Sequence, residues 1–257
     1  MFVFSACIEM LFTDRPFLDR VDAAAAAGCQ AVEFWQLGGK DAQAICRRAR
    51  ALGLQVSACA VDAPLADPGR SHEGVRALSA AIAAAGGLGV PNVIVRAGDA
   101  VSGQPPAAGE AAVAAALAAV APQARASGVR LVLEAENSLV DHAGAFLDRT
   151  ERAARIVSTV DSDAVRLLYD CYHAQIMEGN IIQTLRRISP LLGYVHVAAV
   201  PGRTEPGGGE LAYTAVMEAL VKIGYDGFVG LECRPSGGAP GSSTAVRAAL
   251  AVLQAPS

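Results

Sequence analysis

Four ionisable residues recur at regular intervals in the second half of the chain. Each lies at or near the end of an apolar run of β type, and intervals of 36, 26 and 36 residues separate Glu134, Asp170, His196 and Glu232. Burying several carboxylates together is costly unless a cation or a paired donor compensates their charge. Carboxylate oxygens with one imidazole suit Mg²⁺ or Mn²⁺, with zinc, cobalt or iron as alternatives. The spacing therefore predicts a divalent metal site that these four residues share.

Other charged residues stand close to the same runs. Glu136 follows Glu134 in "RLVLEAEN", and residues two apart on a strand point the same way, so that both would crowd one metal ion. We expect Glu134 to be the ligand and Glu136 to lie higher, toward a loop or solvent. Arg96 in "VIVRAGD" is expected to pair with a neighbouring carboxylate, with an anionic substrate as the alternative. Arg234 has two interpretations: it lies in an exposed turn, or it contacts the substrate.

The elements that must position these residues alternate along the whole chain. Helical segments, several of them Ala-rich, follow eight apolar runs at 2–8, 31–35, 55–61, 92–98, 130–137, 165–173, 193–200 and 228–235. Strands that alternate with helices indicate a parallel sheet, and eight units in 257 residues predict an α/β fold, the closed (β/α)8 TIM barrel, as a single domain over 1–257. A doubly wound open sheet is the alternative, but no Gly-rich phosphate turn follows the first strand.

In such a barrel the active site lies at the C-terminal ends of the strands. The four predicted ligands sit about one strand–helix unit apart, so we expect them at comparable heights on consecutive strands. The Gly- and Pro-rich segments, such as "GDAVSGQPPAAGE" and "PGRTEPGGGE", also follow strands and read as loops on this same face.

Composition excludes several classes of protein. A hydrophobic share of 53% and a charged share of 18% describe a globular chain with a large core. The net charge of -4 offers no general attraction for nucleic acid or an anionic membrane. We expect no membrane span, because no apolar stretch reaches about 20 residues, and no signal peptide, because "MFVFSACIEMLF" lacks a basic start. Six scattered cysteines without CxxC spacing indicate reduced core thiols in a cytoplasmic protein.

Several segments resemble the hydroxypyruvate isomerase family, part of the xylose isomerase-like barrel superfamily. The most specific are "LLYDCYHAQIMEGN", "YVHVAAVPGRTEPGGGELAY" and "GYDGFVGLECRP", and "MLFTDRPFLDR" and "DHAGAFLDRTERAARIV" are similar as well. The chain also departs from the family. It has "AAVPGR" where "ADVPGR" is common, with Ala199 in place of an aspartate, and its loops after the second and third strands differ.

The resemblance implies roles for the predicted metal ligands. Glu134 and Glu232 correspond to two catalytic acid/base carboxylates that also bind metal, and Asp170 matches a metal ligand. His196 stands where hydroxypyruvate isomerases often have Gln and the related ketose epimerases have His. The histidine at this position supports a metal site and keeps the ketose epimerase as an alternative.

The resemblance also implies substrate contacts. His173 and Arg203 match positions that touch substrate oxygens in the superfamily, and Glu205 in "GRTEPG" matches a family glutamate near the same loop. A guanidinium has paired donors, so Arg203 suits a substrate carboxylate.

These residues predict a metal-dependent aldose–ketose type isomerase. Its substrate would be a small keto acid or sugar acid, with hydroxypyruvate converted to tartronate semialdehyde, or a close analogue such as a 2-oxo-tetronate, through an enediolate. The alternatives are a ketose 3-epimerase on the same fold, a nuclease of the endonuclease IV type, and a non-catalytic barrel that binds a sugar or metal. We expect no nucleic acid or membrane partner, and the Ala-rich outer helices leave a homo-oligomer open.

Overall fold

The structure, a computed structural model, describes residues 2–254 and contains a closed barrel of eight parallel strands. The strands are β1 (Val3–Cys7), β2 (Ala31–Glu33), β3 (Gln55–Asp62), β4 (Asn92–Arg96), β5 (Arg130–Glu134), β6 (Val165–Asp170), β7 (Leu192–Val197) and β8 (Phe228–Leu231). They pair in chain order, and β8 pairs with β1 to close the ring. The predicted single-domain TIM barrel is confirmed, and the open sheet is wrong. Met1 and residues 255–257 of the predicted domain lie outside the described residues.

Helices connect the strands around the outside of the barrel. They are α1 (Asp19–Ala27), α2 (Ala42–Ala51), α3 (Ser71–Leu88), α4 (Pro106–Ala126), α5 (Thr150–Val160), α6 (Cys171–Met177), α7 (Ile181–Ile188), α8 (Tyr213–Lys222) and α9 (Ser242–Leu253). Gly28 lies just past α1, has φ of 99° and ends the helix through its backbone N–H.

The ranges predicted for the last four strands extend too far at their C-terminal ends. The predicted sixth strand ran to His173, whereas β6 ends at Asp170 and His173 lies on the short helix α6. The reason is local. Asp170 Oδ1 accepts the backbone N–H groups of Tyr172 and His173, so the chain turns into a helix directly after the aspartate.

The interior of the barrel has two unlike sides. Side chains from β3 to β6 form an apolar cluster with one residue of β7, namely Ala58, Ile94, Val132, Leu168 and Tyr194. On the side of β1, β2 and β3, the buried side chains are polar, and Ser5, Glu33 and Ser57 are at most 2% exposed. Polar groups this deeply buried need partners, and their contacts lead toward the mouth of the barrel.

The helix α4 differs from the expectation that no apolar stretch is long enough to span a membrane. α4 has the length and composition that a membrane span requires, although the sequence predicted no segment of this kind. In the fold, α4 packs between α3 and α5 and buries Val113, Leu117 and Val120 against the barrel. Its apolar character is therefore accounted for by its place in the outer layer.

Candidate active site

The four predicted metal ligands meet at the C-terminal mouth of the barrel. Glu134 and Asp170 are the last residues of β5 and β6, His196 lies near the end of β7, and Glu232 directly follows β8. His196 Nδ1 lies 3.6 Å from Glu134 Oε1, 4.0 Å from Asp170 Oδ2 and 3.5 Å from Glu232 Oε2. We call these four residues the carboxylate cluster. All four are buried, so the convergence that the spacing predicted is present in the structure.

Asp170 serves two purposes with its two oxygens. Oδ1 caps the first turn of α6, accepting from Tyr172 N at 2.7 Å and from His173 N at 3.3 Å. Oδ2 is left facing the cluster, 3.6 Å from His173 Nε2. The cap fixes the carboxylate plane, which in turn aims Oδ2 at the centre of the cluster.

A second histidine, His173, also comes within reach of a shared metal ion. Ligand atoms of Glu134, Asp170, His173 and Glu232 all lie within 4.8 Å of one another. Its tautomer follows from Asn137, whose Oδ1 accepts two backbone N–H groups at 2.9 Å and whose Nδ2 therefore points at His173 Nδ1, 2.6 Å away. Nδ1 is thus an acceptor and Nε2 carries the proton. Burial lowers the pKa of His173 to about 4, so the ring is neutral near pH 7.

His196 is the better ligand, because its Nδ1 faces all three carboxylates. Its Nε2 lies 2.8 Å from Glu33 Oε1, a close contact that is not aligned as an N–H···O hydrogen bond. Burial opposes a charge on the ring, but Glu33 and Glu232 outweigh it and raise the pKa of His196, so an ion would displace the proton from Nδ1 when it binds. His173, with a proton on Nε2, is instead suited to donate a hydrogen bond to a substrate oxygen.

The carboxylate cluster fits a divalent cation. Three of its buried atoms, Glu134 Oε1 and both ring nitrogens of His196, have no hydrogen-bond partner among the described residues. Glu134 Oε1 and His196 Nδ1 face the same space, together with Asp170 Oδ2. Among the described residues, the three carboxylates meet one close guanidinium there, that of Arg203. Unpaired oxygen and nitrogen donors around excess negative charge are the donor set that Mg²⁺ or Mn²⁺ prefers.

Glu232 is held by donors on both oxygens. Trp35 Nε1 donates to Oε1 at 2.9 Å, and Arg203 Nη2 donates to Oε2 at 2.5 Å. Burial alone would raise the pKa of Glu232, but the charges of His196 and Arg203 outweigh it and lower that pKa to about 2. Glu232 is therefore ionised throughout the neutral range.

Arg203 is fixed by its own backbone as well. Its φ of 53° is the left-handed conformation, which a residue with a side chain rarely adopts. The backbone N–H donates to Ala199 O and the carbonyl accepts from Arg234 N, so the turn is tied to the chain on both sides. The guanidinium carbon lies 5.0 Å from the centre of the Tyr172 ring. Arg203 thus reaches the mouth from a rigid support.

A second charged group lies beside the carboxylate cluster, and we call it the Arg96 network. Arg96 Nε donates to Glu136 Oε1 at 2.6 Å, and Arg96 Nη1 lies 3.0 Å from Asp62 Oδ1. His142 Nε2 lies 3.2 Å from the same oxygen of Glu136. The expected pairing of Arg96 with a carboxylate is confirmed. Glu136 lies toward the loop that carries His142, as expected, but it does not face solvent, since it is only 7% exposed. Burial and the charge of Glu134 raise the pKa of Glu136 to about 8, although Arg96 acts in the opposite direction.

A cavity of about 340 Å³ opens above both groups. Its lining includes Glu134, Glu232, His173 and Arg203. Glu205 does not line it, because both of its carboxylate oxygens accept hydrogen bonds from Ser236, at 2.8 Å and 2.6 Å. Glu205 therefore links the loops after β7 and β8.

Sequence reasoning missed several residues that line or support this cavity. Trp35 and Asn137 were not singled out, although each directly contacts a predicted site residue. Signals for both were available. Trp35 is the single tryptophan of the chain and follows the second strand, and Asn137 ends the polar run after the fifth. Arg234 lines the cavity and is exposed, which is compatible with both interpretations offered for it.

Comparisons with known proteins agree with this architecture. Residues 21–255 match the family model described as a xylose isomerase-like TIM barrel. The chain is 34% identical to the 2-oxo-tetronate isomerase of Cupriavidus necator, with 91% of this chain and 94% of that protein covered. It is also 34% identical to a Mus musculus protein provisionally named hydroxypyruvate isomerase, with coverage of 91% and 90%.

A solved structure is similar over nearly the same length. The crystal structure titled AP endonuclease, family 2, from Brucella melitensis superimposes with a TM-score of 0.88 at 27% identity, covering 94% of this chain and 96% of that one. The family resemblance that the motifs indicated is confirmed by these matches. This chain belongs to the xylose isomerase-like TIM barrel family.

Proposed function

We propose that this enzyme is a metal-dependent isomerase of a small keto acid or sugar acid. Its substrate is hydroxypyruvate, converted to tartronate semialdehyde, or a close analogue such as a 2-oxo-tetronate. The observation that carries the proposal is the placement of Glu134 and Glu232, 3.6 Å and 3.5 Å from His196 Nδ1, beneath an open cavity. The names of the two relatives support the same class of substrate.

The proposed cofactor is a divalent ion, Mg²⁺ or Mn²⁺, held by Glu134, Asp170, His196 and Glu232. When bound, such an ion supplies Lewis-acid polarisation of an α-hydroxy carbonyl group. The protein contributes the rigid placement of its donors. Asp170 is fixed by the α6 cap, and Glu232 is fixed by Trp35 and Arg203.

Glu134 and Glu232 are the proposed catalytic pair. One takes the proton from the hydroxyl-bearing carbon, which gives an enediolate, the hydroxyl proton passes to the former carbonyl oxygen, and a protonated glutamate gives a proton to the neighbouring carbon. Glu232 is ionised in the neutral range and can act as a base. Glu134 Oε1 has no partner among the described residues, which leaves it free to face the substrate. This pairing moves a proton without a net change of charge on the protein.

Three residues are proposed to bind or support the substrate. His173 donates its Nε2–H to a substrate oxygen, as its tautomer allows. Arg203 attracts a substrate carboxylate while it orients Glu232. Glu205 acts through Ser236, by fixing the two loops that border the cavity.

The remaining assignments concern the setting of the enzyme. We propose a cytoplasmic location, since all six cysteines are buried free thiols. The proposed partner is the small-molecule keto acid or sugar substrate, with a homo-oligomer through the Ala-rich outer helices left open. A net charge of -4 gives no support for nucleic acid binding, which is why an isomerase is preferred to the nuclease alternative.

The test is solvent deuterium exchange on a panel of keto acids and ketoses with Mn²⁺ or Mg²⁺. The wild-type protein should incorporate deuterium and form an aldehyde from a keto acid. Glu134→Gln and Glu232→Gln should each lower exchange by about 10²–10⁴-fold, the usual contribution of general acid–base catalysis. Glu151→Gln, the same change on exposed α5, is the control and should keep wild-type exchange. Full exchange in both cluster variants would contradict the catalytic assignment, and a new epimer from a ketose would favour the epimerase.

A further inference from the structure

We propose that Glu33, at the end of β2, is a positioning residue that holds His196 so that its Nδ1 faces the carboxylate cluster. The inference rests on the proposed metal site and extends it to a residue outside the set of ligands. Glu33 comes from the opposite side of the barrel, and its carboxylate points inward at the level just below the cluster. Its predicted consequence is control over how tightly the site binds a divalent ion.

The contact between the two side chains is close and fully enclosed. Glu33 Oε1 lies 2.8 Å from His196 Nε2, and the side chains are 2% and 1% exposed. The contact is not aligned as an N–H···O hydrogen bond, so Glu33 holds the imidazole through close ionic contact and packing, and it thereby orients the other ring nitrogen toward the site. Here that other nitrogen is Nδ1, which faces Glu134, Asp170 and Glu232.

Glu33 is itself fixed by a chain of hydroxyl groups. The Tyr194 hydroxyl donates to Glu33 Oε2 and lies 2.8 Å from Ser57 Oγ, which in turn lies 2.6 Å from Ser5 Oγ. Among the described residues, no arginine or lysine nitrogen lies within 4.0 Å of the Glu33 carboxylate. A buried carboxylate needs compensation. Tyr194 donates to one oxygen of the carboxylate and, among the described residues, the imidazole of His196 lies against the other, so the carboxylate and the imidazole depend on each other.

The neighbouring strand, β8, leaves room for this pair. Gly230 is the register partner of His196 between β7 and β8. A Cβ at position 230 would lie 2.6 Å from His196 Cδ2 and 2.7 Å from Glu33 Oε2, closer than such atoms approach. Any side chain at this position would therefore push the carboxylate and the imidazole apart. The space at Gly230 is an observation independent of the 2.8 Å contact, and it points to the same pair.

The experiment measures Mn²⁺ affinity by titration calorimetry on metal-free protein, with no substrate present. Loss of the group that orients a ligating histidine typically weakens metal binding by 10–100-fold. We expect Glu33→Gln and Gly230→Ala each to weaken Mn²⁺ binding by about this factor. Ser5→Ala is the matched control. It removes one hydroxyl from the far end of the same buried chain, and it should bind Mn²⁺ within about twofold of the wild type.

A second measurement separates positioning from general damage to the fold. In ¹⁵N NMR of the metal-free protein, Glu33→Gln should change the ring nitrogen shifts of His196 and leave those of exposed His72 unchanged. If both Glu33→Gln and Gly230→Ala bind Mn²⁺ as the wild type does, the inference is wrong while the metal site stands. If the wild type itself binds no Mn²⁺, the proposed function fails and takes the inference with it. If Glu33→Gln does not fold, the Mn²⁺ affinities of Gly230→Ala and Tyr194→Phe test in its place whether Glu33 positions His196.

Discussion

The carboxylate cluster and the Arg96 network lie side by side at one mouth, and they treat charge in opposite ways. In the Arg96 network, one guanidinium contacts the carboxylates of Glu136 and Asp62, and His142 adds a further contact. In the carboxylate cluster, a glutamate oxygen and an imidazole nitrogen have no partner among the described residues. Glu134 and Glu136 are only two residues apart, yet the first belongs to the unbalanced group and the second to the balanced one.

This difference separates structural charge from functional charge. A buried carboxylate that finds its own counter-charge within the fold stabilises or at least does not disturb the fold. A group of buried carboxylates left without sufficient counter-charge costs free energy, and it persists where a ligand supplies the compensation. Predictions that act on one group and spare the other therefore test the assignment.

The largest effect is expected from Asp170→Asn. Asparagine caps helices about as well as aspartate, so α6 should remain intact while the cluster loses one negative charge. We expect Mn²⁺ binding to fall below detection and kcat/KM to fall by at least about 10³-fold, since a metal ligand and charge are lost together. Circular dichroism checks the fold and calorimetry checks the metal. Retained Mn²⁺ affinity would show that Asp170 serves only as a cap.

The next largest effect is metal-dependent stability. A ligand that binds only the folded state at 100 times its Kd stabilises that state by about 2.7 kcal/mol. We expect saturating Mn²⁺ to raise Tm by roughly 5–10 °C in the wild-type protein, given about 2–4 °C per kcal/mol for a chain of this size. The same rise should appear when Arg96 is replaced, because the Arg96 network does not touch the ion. Calorimetric scans with Mn²⁺ and with a chelator measure both.

A smaller effect on stability is expected from Arg96→Met. The change leaves Glu136, which is 7% exposed, without its strongest partner. Breaking a buried pair costs about 3–5 kcal/mol, and the partial exposure of Arg96 reduces this to roughly 2 kcal/mol. Urea unfolding measures the loss. Arg96→Met with Glu136→Gln should recover part of it, and a double variant no more stable than Arg96→Met would argue against a direct coupling.

The comparison also shows how far the sequence alone could reach. Strand–helix alternation predicted the barrel, and the repeat spacing predicted that the four cluster residues converge, because both depend on regular distances along the chain. The ends of β5 to β8 were predicted too late, since they are set by single side chains such as the Asp170 cap. Local contacts of this kind leave little trace in an apolar pattern.

The residues that support the cluster were not predictable in the same way. Glu33 lies in a strand of three residues, and its partner Tyr194 is 161 positions away across the barrel. No periodicity connects them. The contact of His142 with Glu136 likewise depends on which loop covers β5, whereas the pairing of Arg96 with a neighbouring carboxylate was predicted. Spacing thus locates residues of consecutive strands, whereas contacts across the barrel require the folded structure.

The smallest effect, and the sharpest test of the boundary between the two groups, is expected from Trp35→Phe. The change keeps an aromatic ring but removes the N–H that donates to Glu232 Oε1 at 2.9 Å, while Arg203 still holds Oε2. A hydrogen bond to a charged group is worth about 1.5–3 kcal/mol when buried, and Trp35 is 42% exposed, so we expect kcat/KM to fall only about 5–10-fold. The neighbouring Gln36→Leu removes a donor to Asp62 in the Arg96 network and should leave kcat/KM unchanged. If Trp35→Phe and Gln36→Leu lose the same factor in kcat/KM, the carboxylate cluster and the Arg96 network act as one group. The hydrogen bond from Trp35 to Glu232 would then matter no more than the one from Gln36 to Asp62.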